Sequence, residues 1–176
     1  MTADLTTHDS PSAWVERFAG SIPSGGSVLD LACGSGRHTR LLAGRGYRVV
    51  AVDRDAQAIA ALARLPEIEA RVADLEAGVW PFDDRTFDGV VVTNYLHRPL
   101  FPLLLDCIGN AGVLIYETFA RGNERYGRPA NPDFLLETGE LLRVTAGRMR
   151  VLAYEDLFVE QPKPAMVQRI CAVRSG

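Results

Sequence analysis

Residues 28–38 read V-L-D-L-A-C-G-S-G-R-H. A short apolar run carrying one acid, Asp30, ends in a loop with two glycines, Gly34 and Gly36, and the loop opens onto a helix-forming segment. Glycine has no Cβ, so backbone of this kind can approach a ligand closely. The first turn of a helix presents N–H groups that lack intrahelical partners. The stretch therefore predicts a strand–loop–helix unit that holds a nucleotide-like cofactor.

The residues also say which cofactor to expect. A dinucleotide fingerprint would place its third glycine where this chain has Thr39. Asp30 stands four residues before Gly34, and a carboxylate there disfavours phosphates. It suits a ligand with positive charge, an ammonium or a sulfonium.

Outward from this unit, apolar runs alternate with helical patterns. Strands are predicted over residues 28–32, 47–52, 69–73, 87–93, 113–118, 150–155 and 166–173. Helices are predicted over 12–19, 37–43, 56–65 (with Asp55 as its cap), 98–107 and 134–144. Nearly continuous apolar runs such as Y-R-V-V-A-V suit parallel strands covered on both faces. The last two strands follow one another directly and can pair antiparallel. The predicted class is α/β: a Rossmann-like, seven-stranded, mostly parallel sheet with a C-terminal antiparallel hairpin and helices on both faces. In such sheets ligands sit beyond the carboxyl ends of the strands, where strand order reverses.

Two more acids end successive strands: Asp53 in V-D-R and Asp74 in A-D-L. A carboxylate accepts paired hydrogen bonds from a ribose diol, which suits Asp53. Asp74 suits an adenine amino group, with Leu75 against the ring. The alternative is that both are strand-end turn formers.

With 176 residues the chain reads as one domain: an N-terminal helix and linker over 1–26, a cofactor-binding half over 27–118, and a substrate-loop and hairpin half over 119–176. It is 47% hydrophobic and 23% charged with a formal net charge of -3, which weighs against broad contact with a nucleic-acid backbone. The three cysteines, Cys33, Cys107 and Cys171, have neither metal-site spacing nor an even count for disulfides. No metal is expected, and a reduced, cytoplasmic setting is. The first residues lack the pattern of a secretory leader, and no apolar run reaches membrane-spanning length. Oligomeric state is not legible.

The ordered set D-L-A-C-G-S-G-R-H, V-D-R, A-D-L and F-D-G-V-V-V-T-N-Y-L-H resembles the motifs of class I S-adenosylmethionine-dependent methyltransferases, from about residue 28 to 173. Within that family, C-G-x-G-R resembles the small bacterial, tellurite-resistance-like type. The resemblance implies S-adenosylmethionine as cofactor and S-adenosylhomocysteine as product. It places Asp30, Ala32, Gly34 and Gly36 around the methionine part, Asp53 and Arg54 at the ribose, Asp74 and Leu75 at the adenine, and Asn94 and Tyr95 at the donor methyl. Arg37, at the positive end of a helix, is a candidate partner for the cofactor carboxylate, or a solvated side chain.

Methyl transfer from a sulfonium is an in-line displacement that rests mainly on positioning. A general base is required only when the acceptor must lose a proton. Tyr95, His97 and Glu117 are the candidates, each with a structural alternative: packing for Tyr95, a helix start for His97, a cap for Glu117. The segment 121–129, with Arg121, Arg125 and Arg128, is expected to cover the acceptor pocket and meet an anion, or else to be a solvated connector. A small-molecule or anionic acceptor is the leading expectation. An RNA or protein acceptor, a non-catalytic cofactor-binding module and a nicotinamide-dependent reductase stand beside it.

Overall fold

A computed structural model describes residues 10–175. The expectation about a leader concerns residues outside this range. Seven strands form one sheet: β1 (Ser27–Leu31), β2 (Arg48–Asp53), β3 (Ile68–Val72), β4 (Phe87–Thr93), β5 (Ile108–Phe119), β6 (Met149–Val159) and β7 (Ala165–Arg174). Their order is β3-β2-β1-β4-β5-β7-β6. The first five are parallel to one another, and β7 runs antiparallel to both β5 and β6. The chain moves from β1 outward to β3 and then returns to the far side of β1 with β4. Strand order therefore reverses between β1 and β4, and the glycine loop lies at that point.

Side-chain alternation assigns each helix to a face. Val28, Val49, Val91, Val113 and Ile115 pack with Trp14, Val15 and Leu42 from α1 (Ala13–Phe18) and α2 (Arg37–Gly44). Ala51 packs with Ile59 and Leu62 of α3 (Ala56–Leu62) on the same face. Leu29, Val50, Val90 and Leu114 turn the other way, toward Leu104 of α4 (Phe101–Asp106) and Leu141 of α5 (Glu140–Thr145). Both faces are covered, which is why the strands read as unbroken apolar runs.

Ser12 caps α1, accepting from the amides of Trp14 and Val15, and Asp55 caps α3 through Gln57 and Ala58. Several expected elements differ. The helix expected over 134–144 exists only as α5. Leu136 instead spends its backbone on an extension of β5: its amide donates to Phe119 O, and its carbonyl accepts from Arg121 N, both at 3.0 Å. Gly139 then turns left-handed at φ 70° just ahead of α5. The helix expected over 98–107 opens as a 3-10 turn, Arg98–Leu100, before α4. β5 begins five residues earlier than its apolar run suggests, because Ile108 pairs with Phe87 ahead of a register shift.

Candidate active site

The loop after β1 turns on three left-handed residues, Ala32 (φ 52°), Gly34 (φ 53°) and Gly36 (φ 81°). Its two glycines serve different ends. A Cβ on Gly36 would stand 2.4 Å from Leu62 Cδ2, so that glycine lets the loop pack onto α3. A Cβ on Gly34 would meet nothing within 4 Å, so that glycine keeps an open backbone surface. Asp53 pins the loop from β2: its Oδ2 accepts from Gly34 N at 2.8 Å and its Oδ1 from Asp55 N at 2.9 Å. A carboxylate oxygen accepts two bonds, so half-buried Asp53 retains capacity for a further donor.

Asp30 takes a different place from the one its position suggested. It shares the Val28 face of β1, beneath α2 rather than at the strand ends. There its Oδ2 accepts from Thr39 Oγ1 at 2.6 Å, and it is 1% exposed. Burial pushes its carboxyl up to about 7, against the pull of the Thr39 hydroxyl. The acid thus ties strand to helix under the loop. His38 beside it is also buried. Its Nε2 accepts from Ser12 N at 2.9 Å, and Nδ1 lies 3.2 Å from Thr93 Oγ1. An accepting Nε2 assigns the proton to Nδ1, which donates to Thr93. Burial lowers His38 to about 3, so the ring is neutral.

Asp74 is exposed just beyond β3, and its Oδ1 accepts from Glu76 N at 2.9 Å and Ala77 N at 3.2 Å. These two backbone bonds, a local turn, hold its carboxyl below the usual range. Leu75 is half-buried against the core, and Arg54 is exposed. Arg54 and His97 both act on the Asp74 charge, so three predicted site residues share one electrostatic neighbourhood. After β4 the chain turns at Asn94 (φ 53°), whose amide donates to Glu117 O at 2.9 Å. Tyr95 is half-buried, and its inaccessible hydroxyl oxygen has no hydrogen-bond partner among the described residues. Burial and then the Glu76 carboxylate raise that hydroxyl well above the ordinary tyrosine range. His97 precedes the 3-10 turn, half-buried.

Glu117 belongs to a ladder of charge across three strands. In register, Glu117 of β5 faces Arg169 of β7, which faces Glu155 of β6. Arg169 Nη1 donates to Glu117 Oε2 at 3.0 Å, and its Nε to Glu155 Oε2 at 2.7 Å. Ser12 Oγ donates to Glu117 Oε1 at 2.6 Å, and the Arg169 guanidinium lies 4.9 Å from the Trp14 ring centre. Both Glu117 oxygens are therefore engaged, an arrangement that fixes the carboxylate in place.

Two cavities open at this end of the sheet, and both have Asn94 and Phe119 in their walls. The smaller, about 230 Å³, has Glu76, Tyr95, Pro129 and Phe134 around it. The larger, about 450 Å³, lies under residues 10–13 and the β6–β7 turn, with Arg37, Glu117, Lys163 and Arg169 as its charged side chains. Arg37 also donates from Nη1 to Ser10 O at 3.1 Å.

The segment 121–129 does not deliver its arginines to either cavity. Arg121 pairs with Glu137 at 2.6 Å, and Arg125 and Arg128 are exposed. Buried Asn123 fixes the segment instead, donating to Pro129 O at 2.9 Å and accepting from Met166 N at 3.2 Å. Only Pro129 of this stretch borders a cavity. Ser12, Phe119, Lys163 and Arg169 were not anticipated in the site. Ser12 had a legible signal as a helix cap; Arg169 had none, since only the register of the hairpin puts it against Glu117.

The described residues contain no helix long and apolar enough to cross a membrane, and no cluster of metal-ligating side chains. Residues 28–108 match the family model described as a methyltransferase domain. A curated relative, protein-L-isoaspartate O-methyltransferase of Chlorobaculum tepidum, is 34% identical over 99 residues, 53% of this chain. The chain spans under half of that relative, 45% of its length. Among solved structures, TehB from Haemophilus influenzae superposes with a TM-score of 0.74 at 20% identity, over 99% of this chain and 64% of that one. A TehB-like S-adenosylmethionine-dependent methyltransferase from Corynebacterium glutamicum does so at 0.66 and 20% identity, over 92% of this chain and 87% of that one. The family model covers residues 28–108, and the two superpositions, at 20% identity, show a shared fold.

Proposed function

We propose that this chain, built on the class I S-adenosylmethionine-dependent methyltransferase fold, transfers the methyl group of that cofactor to a small-molecule acceptor. One observation carries the proposal. At the strand-order reversal, an open left-handed loop at Gly34 stands beside Asp53 at the end of β2, with Asp74 just beyond β3 and cavities beyond Asn94.

These residues fit the cofactor. Gly34 offers backbone with no side chain in the way, and Asp53 and Asp74 each have carboxylate capacity beyond the turns they make. In this reading Asp53 holds the ribose with Arg54 beside it, and Asp74 and Leu75 frame the adenine. Asn94 and Tyr95 border the donor methyl, and Arg37 holds the cofactor carboxylate. Ala32 and Gly36 shape the loop, and Asp30 supports it from below through Thr39. When bound, the cofactor supplies a methyl group on a sulfonium, whose departure as a neutral thioether needs no acid.

The chain's contribution is then position and exclusion of water. The walls at Tyr95 and Phe119 limit solvent around the acceptor. Glu117 is a positioning residue that anchors residues 10–13 and the hairpin. Tyr95, with its raised hydroxyl, packs. His97 remains the candidate base for an acceptor that must lose a proton.

Calorimetry with S-adenosylmethionine, S-adenosylhomocysteine and NADH tests the reading. The first two bind and NADH does not; NADH binding without response to the other two overturns it. Glu117→Gln keeps the Ser12 bond and weakens the Arg169 pair. It lowers turnover by less than about tenfold and leaves the pH profile of kcat unmoved, whereas an essential base would abolish turnover.

A further inference from the structure

Building on the methyltransferase reading, we infer that the larger cavity takes a small organic anion with an apolar body, whose charge is met by Lys163. The cavity, about 450 Å³, falls in the range that holds small organic ligands. Its walls divide by chemistry. Phe119, Val159, Pro162 and Val167 give an apolar surface on the hairpin side. Charge is confined to Arg37, Glu117, Lys163 and Arg169.

Those four charges are not equivalent. Arg169 and Glu117 satisfy one another in the cross-strand ladder, and Arg169 carries Glu155 as well. Arg37 sits at the first position of α2, beside the glycine loop, and serves the cofactor end. Lys163, in the turn between β6 and β7, has no carboxylate partner among the described residues. Its Nζ stands 5.6 Å from the centre of the Phe119 ring, which itself forms cavity wall. An ammonium on an aromatic face still has three donors to offer. An acceptor anion that reaches it gains a charge-assisted hydrogen bond beside an apolar surface, where water competes poorly. A cationic acceptor would meet three basic side chains and a single carboxylate already bound. Anion recognition thus belongs to the β6–β7 turn, not to the arginines of 121–129.

Three probes of matched shape test this: 3-phenylpropanoate, 3-phenylpropanamide and 3-phenylpropan-1-amine. Their affinities for the full chain are measured by calorimetry, with and without saturating S-adenosylhomocysteine. The carboxylate binds at least tenfold tighter than the amide or the amine. Lys163→Gln brings carboxylate and amide together, and Lys163→Glu removes carboxylate binding, while both variants retain wild-type affinity for S-adenosylhomocysteine. Equal binding of the amide, preference for the amine, no binding of any probe, or a carboxylate preference that survives Lys163→Glu each overturn the anion site. Failure of S-adenosylhomocysteine to bind wild type counts against the methyltransferase reading instead, and the probes without it still decide the anion site.

Discussion

Replacing Gly36 by alanine tests how the glycine loop is built. The position carries φ 81°, which costs an L-residue roughly 1–2 kcal/mol. The new methyl would stand 2.4 and 2.7 Å from Leu62 Cδ2 and Cδ1, far inside carbon–carbon contact distance of about 3.5–4.0 Å. Leu62 is fully buried, so relieving that clash is an overpacking problem of about 1–3 kcal/mol. Gly36→Ala should therefore destabilise the protein by about 2–5 kcal/mol. Leu62→Ala alone should cost about 2–5 kcal/mol through its cavity. The double variant should cost less than their sum, because truncating Leu62 removes the three atoms nearest the methyl introduced at position 36. Urea unfolding of the four proteins, followed by far-ultraviolet circular dichroism and the fluorescence of Trp14 and Trp80, gives the coupling, expected at about 1–3 kcal/mol. Additivity within about 0.5 kcal/mol would show that Gly36 is not packed on Leu62 and would refute the reasoning.

Asp30 and His38 should pull stability in opposite directions with pH. Asp30, raised to about 7, stays protonated in the folded protein while the unfolded chain has released its proton; its contribution is complete below about 4 and is lost as pH rises toward 7, on the order of 4 kcal/mol in all. His38, lowered to about 3, stays neutral while the unfolded chain binds a proton, so its contribution is lost as pH falls from 6.5 toward 3. Between pH 4 and 6.5 stability should fall with rising pH in His38→Gln and rise in Asp30→Asn; parallel pH curves for the two would contradict both environments. Arg98 holds Glu140 with bonds of 2.7 and 2.9 Å and also donates to the carbonyls of Asp133 and Leu135. Arg98→Ala should cost about 1–3 kcal/mol, discounted for its partial exposure. It should speed amide exchange at Arg121 and Leu136 at least tenfold while β1 and β2 stay protected, and uniform loss of protection would contradict a local clasp.

Most of the parallel half of the sheet was readable in advance because it is local. Each of β1, β2 and β4 is built on an apolar run, and burial on both faces imposes that pattern directly on the residues. The cap at Asp55 was readable for the same reason: a side chain bonds its own next turn. The segment 134–144 misled because four leucines spaced for one helical face serve two purposes. Leu136 is buried by pairing beside β5 with Leu135 next to it, Leu141 is buried on α5 and Leu142 is exposed there, with Gly139 between the two pairs. Local periodicity does not reveal which neighbour a buried residue has.

The site divides along the same line. The sequence alone determined the Rossmann-like plan, the glycine loop at its switch point and the acids closing β2 and β3, because strand, turn and helix-cap chemistry acts over a few residues. Tertiary structure decided what those groups touch. Asp30 went under α2 because it shares the Val28 face. Glu117 became part of a ladder because β7 brings Arg169 into register beside it, 52 residues away in the chain. Lys163 reached the cavity because an antiparallel hairpin returns its turn over the ends of the parallel strands. Such meetings depend on register and on which face of the sheet a side chain takes, and those are set by the burial of the whole core, not by any one stretch of it.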